Sequence, residues 1–156
     1  MQILVDDARI TPDQIATMVG STERAVRKRI ADWEQERLIL RCKAVVDRER
    51  AGVEEVTAMI EIRANLQSGL GFEQVARTVA RFDQVRSLSL VSGNYDLLAV
   101  VAGKTMRDIS NFLAESLAPL DGIQTVTTHF LLRLYKDDGD IFDSGDEVSG
   151  RLPVAP

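Results

Sequence analysis

The sequence is poor in the residue types on which most site chemistry depends. Among 156 residues there is one cysteine, Cys42, and one histidine, His129. A lone cysteine makes no internal disulfide, and with a single histidine it falls short of the clustered ligands of a zinc site. The same scarcity argues against Cys-His and Ser-His nucleophilic catalysis, which sets a base and an orienting group beside the nucleophile. No carboxylate spacing supports acid-base chemistry either, so the expectation is a protein that is not an enzyme and needs neither metal nor cofactor. No run approaches the ~18–20 apolar residues of a membrane span, and the start, MQILVDDAR, lacks the basic end and long apolar stretch of a signal peptide. A cytoplasmic location is expected. Positive charge is also short, with 19 Lys+Arg against 24 Asp+Glu and a net charge of −5, the opposite of the basic profile usual for nucleic-acid proteins.

The charge is unevenly spread. Divided after Gly52, where the apolar pattern changes, residues 1–52 hold ten basic and nine acidic side chains, and residues 53–156 hold nine basic and fifteen acidic. Much of the acid excess lies in KDDGDIFDSGDEVSG, where Asp137, Asp138, Asp140, Asp143, Asp146 and Glu147 follow Lys136 with no intervening base. With few apolar residues, several glycines and two late prolines, residues 138–156 read as an acidic, disordered tail that solubilises the chain. Two domains precede it, 1–52 and 53–137.

The first domain has helical spacing. In TPDQIATMVG, Thr11 suits an N-cap, Pro12 the first helical position and Gln14 the far side of a capping box, and Gly20 supplies the stop. A second helix starts at Ser21 or Thr22, with Glu23 at the positive end of its dipole and Val26, Ile30 and Trp33 at helical spacing. Two helices separated by about three or four residues satisfy the helix-turn-helix. Arg24, Arg27 and Lys28 share the face opposite Val26, Ile30 and Trp33. From there basic side chains can neutralise phosphates while residues near the helix start reach base edges in a major groove. Arg29, nearer the core boundary, is free to pair with a carboxylate of its own domain. After Ile39, LRCKAVVD reads as a short strand.

The second domain alternates with a period of two. VTAMIEIRANL sets Val56, Ala58, Ile60 and Ile62 on one face, and Thr57, Met59, Glu61 and Arg63 on the other. GFEQVARTVARF carries a helical stripe. QVRSLSLVSG and YDLLAVVAG read as strands broken at a tight Gly93-Asn94 hairpin. TMRDISNFLAESLAPL is a helix capped by Thr105 with Asp108, and GIQTVTTHFLLRLYK a long last strand. The order βαββαβ is the ferredoxin-like α+β arrangement, with both helices on one face of an antiparallel sheet. The run 97–101 is nonetheless apolar toward both faces. At roughly 25 cal/mol per Å², leaving the second face in water forgoes several kcal/mol, and a second copy is its simplest cover, so a homodimer is expected.

In order and spacing, VGSTERAVRKRI, LILRCKAVVD, SGNYDLLAVV and GIQTVTTHFLLRLYK resemble the Lrp/AsnC (feast/famine) transcription regulators over roughly residues 3–137. The resemblance implies an N-terminal winged helix-turn-helix that binds double-stranded DNA. It also implies a C-terminal domain that senses a small-molecule effector, typically an amino acid, and assembles as a dimer or octamer. Carried over to this chain, Thr22 takes the recognition-helix cap, and Arg24, Ala25, Arg27 and Lys28 face DNA. Ser92, Gly93, Asn94, Tyr95 and Asp96 form the effector-side turn, with Thr127 and His129 as further candidates. Asp96 offers a carboxylate to a ligand ammonium and the Gly-containing turn offers N–H groups to a ligand carboxylate; alternatively the turn is a structural hairpin in which Asp96 caps its own backbone. The chain departs from the family in a first helix shortened to about two turns and in Arg37, which stands where members have a left-handed glycine. An alternative function is therefore a small-molecule sensor whose DNA-binding domain has decayed.

Overall fold

Helix capping and strand pairing decide which of these segments become regular structure. The computed structural model describes residues 1–65 and 71–142. The chain divides into two units, Met1–Val46 and Asp47–Pro156. The division precedes Gly52 because residues 47–52 form a hydrogen-bonded turn, and Glu55 accepts from both Arg48 and Arg86 at 3.1 and 3.0 Å.

The first unit has three helices, α1 (Gln2–Asp6), α2 (Pro12–Val19) and α3 (Glu23–Gln35). Gln14 Oε1 accepts from the Thr11 backbone N–H at 3.0 Å, so the capping residues act as expected. A hydrogen bond with Thr11 holds the neighbouring Asp13 carboxyl below its ordinary range. Gly20 ends α2 at φ 64°, and the Ser21 N–H returns to the Ala16 carbonyl at 2.9 Å. Arg37 plays the same part after α3, at φ 58°. The Leu38 N–H reaches the Trp33 carbonyl at 2.9 Å and the Arg37 N–H that of Glu34 at 3.1 Å, the two bonds of a Schellman motif. Ile15, Ala16 and Val26 are the buried core, with Ile3, Leu4, Ile10 and Ile30 packed around them.

LRCKAVVD does not form the expected strand. Residues 40–47 are irregular, and Leu40, Val45 and Val46 are exposed. A strand exists only against a partner, and the first unit has no second strand to provide one. The wing is therefore not built as a ladder.

The second unit contains β1 (Val56–Ala64), α4 (Phe72–Val79), β2 (Val85–Leu90), β3 (Leu97–Gly103), α5 (Met106–Phe112) and β4 (Ile123–Phe130). The antiparallel sheet has the order β2-β3-β1-β4. Thr105 Oγ1 accepts from the Asp108 N–H at 3.1 Å and Asp108 Oδ2 from the Thr105 N–H at 2.9 Å, closing the box that starts α5. A π-helical turn, Leu113–Leu117, continues it. Ala58, Ile60 and Ile62 of β1, Leu97, Ala99 and Val101 of β3, Val75 and Val79 of α4, and Ile109 and Phe112 of α5 form one core. Phe82 meets Phe112 edge-to-face, 5.1 Å between centroids.

Three further expectations change. Residues 91–96 separate β2 from β3, so the link is a loop rather than a tight hairpin. β4 stops at Phe130, where the ladder with Ala58 near the start of β1 runs out. The acidic segment is ordered at its start: β5 (Lys136–Asp137) pairs with β6 (Asp140–Ile141). Asp138 and Gly139 turn between them at φ 46° and 97°, the left-handed pair of a type I′ hairpin. The rest of the expected tail, 143–156, lies outside the described residues. No helix among the described residues is long and apolar enough to cross a membrane.

Candidate functional site

Two surfaces collect the residues singled out in the sequence. On the first unit, Thr22 caps α3 and its Oγ1 accepts from the Ala25 N–H at 3.3 Å. Val26 is buried and Ile30 and Trp33 partly so, while Arg24, Ala25, Arg27 and Lys28 are exposed. The expected division of faces is present. The charges are less available than their number suggests: Arg27 pairs with Glu23 at 2.6 Å and Lys28 with Asp32 at 3.0 Å. Arg24 makes no ion pair among the described residues. Among the described residues Arg29 finds no carboxylate either; its guanidinium lies over the Trp33 ring, 5.4 Å from the centroid. That corrects the pairing expected for it.

On the second unit, residues 92–96 form an irregular loop at one end of β3. Ser92, Gly93 and Asn94 are exposed, and Tyr95 and Asp96 partly buried. Gly93 has φ 152°, within the range that favours glycine. Asp96 does not cap its own backbone. Its Oδ2 accepts from the Ala64 N–H at 2.8 Å, and its own N–H donates to the Ile62 carbonyl at 3.0 Å. The loop is thereby tied to the end of β1. Arg63 adds a second tie, donating through Nε at 3.2 Å and also through Nη2 to the Asn94 carbonyl.

Thr127 and His129 stand on the sheet face away from α4 and α5. Thr127 is opposite Glu61, and His129 opposite Met59. His129 Nε2 lies 3.2 Å from Glu61 Oε1. The same face carries Leu98 and Val100 of β3, which pair with Glu61 and Met59. Glu61 therefore links the two β4 candidates, and Arg63, two positions along and on the same face, links them to the loop. Neither charge was singled out as a site residue, although an acidic and a basic side chain at alternate positions of an otherwise apolar strand was the available signal. Together they set an anion and a cation side by side on the open sheet, beside a loop held by its carbonyl and carboxylate. Such an arrangement can hold both charged ends of a small zwitterion.

Residues 57–141 match the model of the Lrp/AsnC ligand binding domain. The chain is 38% identical over 157 residues to YugG of Bacillus subtilis (strain 168), an uncharacterized HTH-type transcriptional regulator, covering 100% of this chain and 94% of the relative. It resembles the crystal structure of the Mycobacterium tuberculosis leucine response regulatory protein LrpA with a TM-score of 0.75 at 19% identity, over 89% of this chain and 92% of that one. A complex of transcriptional regulator NMB0573 from Neisseria meningitidis with L-Met is similar at a TM-score of 0.68 and 20% identity, over 87% of each chain.

Proposed function

The chain belongs to the Lrp/AsnC family, and from that premise we propose that it is a cytoplasmic transcription regulator that binds double-stranded DNA through α3 and answers to an amino acid held by the sheet unit. The observation that carries the DNA-binding half is the build of α3, a helix capped by Thr22 that turns Arg24, Ala25, Arg27 and Lys28 to solvent. Its N-terminal residues suit base edges and its cations phosphates. The amino-acid half rests on Glu61 and Arg63 as partners for an ammonium and a carboxylate, beside 92–96, Thr127 and His129; the L-Met complex of a similar fold supports that ligand class. Asp96 serves here first as a tie to Ala64. A two-fold dimer across the open sheet face would cover Met59, Leu98 and Val100 and carry two copies of α3, with larger assemblies such as an octamer built from it.

The test is fluorescence anisotropy on a DNA fragment enriched from a random-sequence pool. Arg24→Ala, and Arg27→Ala with Lys28→Ala, should each weaken binding by about tenfold or more, and affinity should fall steeply with salt. Binding that ignores both would sink the proposal. A second reading, a sensor with a decayed DNA-binding unit, is favoured by one observation: two of the three outward cations are already paired within α3. It prevails if amino acids raise the melting temperature while no enriched DNA fragment binds.

A further inference from the structure

We propose that the first unit holds a small-molecule site of its own, for a short apolar carboxylate, on the core side of α3. A cavity of about 220 Å³ opens there among the three helices, walled by Leu4, Ile15, Val26, Ile30 and Trp33 among others. On the side of α1 (Gln2–Asp6), Ile3 and Leu4 meet the seam of α2 and α3. An apolar cavity of about 150 Å³ takes up benzene, so this one suits a ligand of about eight to ten non-hydrogen atoms.

The wall also selects a charge. Among the described residues Arg29 is the only ionised side chain in it, and Met1, the first residue given, also lines it. Its guanidinium stacks on Trp33 and has no carboxylate partner among the described residues, whereas Arg27 and Lys28 on the same helix both do. A cation at the rim of an apolar cavity with no anion in its wall is complementary to an amphipathic monoanion. The tail would lie against Leu4, Ile15 and Val26, and the carboxylate on Arg29 with the Ser21 hydroxyl nearby. An alkylammonium of the same size meets the wrong sign. An alcohol of that size gains the apolar contacts without the charge. The site lies away from Arg24, Arg27 and Lys28 but shares Ala25 with the surface assigned to DNA, so a ligand there would border the DNA contact.

Trp33 is the sole tryptophan, so its emission in the full chain reports on the cavity directly. Titration with hexanoate should give a saturable change in that emission and a rise in the unfolding midpoint. Hexan-1-ol should bind about tenfold more weakly or worse, and hexylamine should give no saturable change. Arg29→Gln should bring hexanoate down to the level of hexan-1-ol, and Ser21→Leu, which adds volume at the cavity wall, should abolish both. Should either variant fail to fold, the three-ligand comparison on the native chain decides alone. Equal affinity for hexanoate and hexan-1-ol, hexanoate binding untouched by Arg29→Gln, or no saturable change at all would overturn the proposal. An emission change that follows protein concentration instead of ligand would assign the cavity to a second copy and overturn it as well.

Discussion

Arg37 holds a backbone conformation that its own side chain opposes. At φ 58° the Cβ of any L-residue crowds the following carbonyl, at roughly 1–2 kcal/mol, and glycine escapes that penalty while losing more entropy on folding. Arg37→Gly should therefore stabilise the first unit by about 1 kcal/mol, read as a higher urea midpoint for the Trp33 emission change. An unchanged or lower midpoint would mean that the arginine side chain makes compensating contacts. This position was legible beforehand only through the resemblance, which sets a left-handed glycine there. Asp96 was not. Its carboxylate bonds the N–H of Ala64, a residue far away in sequence, and only the register of β1 against β3 creates that pairing. Asp96→Ala leaves the Ala64 donor without its acceptor and should cost about 1–3 kcal/mol; Asp96→Asn, which keeps an acceptor oxygen, should cost less. Thermal unfolding without any amino acid present checks both, and an unmoved Asp96→Ala would mean that the tie contributes nothing.

At the scale of elements, α3 carries its cations in a partly neutralised form. Exposed i,i+4 pairs such as Glu23–Arg27 and Lys28–Asp32 contribute only about 0.3–0.5 kcal/mol each to a helix, yet they engage one guanidinium and one ammonium that would otherwise be open to phosphate. Replacing Glu23 and Asp32 by Gln and Asn should leave the helix content nearly unchanged. It should raise DNA affinity and steepen the slope of log affinity against log salt, by up to about 0.9 for each phosphate newly neutralised. A slope equal to that of the parent would show that the pairs already open on contact. Elements with local signals were legible, as the boxes at Thr11 and Thr105 were, because a cap needs only neighbours along the chain. Of those that depend on a partner, the four main strands were legible from their alternation, and two further segments were misjudged. LRCKAVVD and the stretch after Phe130 both have the composition of a strand, but the first has no strand beside it among the described residues and the second leaves the main sheet after Leu131, forming a ladder again only at Lys136. The β5–β6 turn errs in the other direction: its Asp138-Gly139 pair is a strong hairpin signal that the surrounding acidic residues concealed.

For the whole molecule, the net charge of −5 opposes approach to DNA, so on the proposed reading of α3 affinity for random sequence should be weak at physiological salt and should depend on two copies of that helix acting together. The open sheet face would supply that pairing. Met59, 39% exposed and flanked in the sheet by Val100 and His129, is the position to test. Met59→Glu adds a second negative charge beside Glu61 and should halve the mass seen by light scattering while leaving far-ultraviolet circular dichroism unchanged; an unaltered mass would place the contact elsewhere. The two units also differ in what holds them together: among the described residues, three buried core residues in the first against eleven in the second. Local stability follows buried apolar contact, so amide hydrogen exchange should separate the chain into a fast class in α2 and α3 and a slow class in β1 and β3. The first unit would then melt and re-form on its own while the sheet stays intact, and any molecule that slows exchange in α2 and α3 alone would be acting on that unit by ordering it.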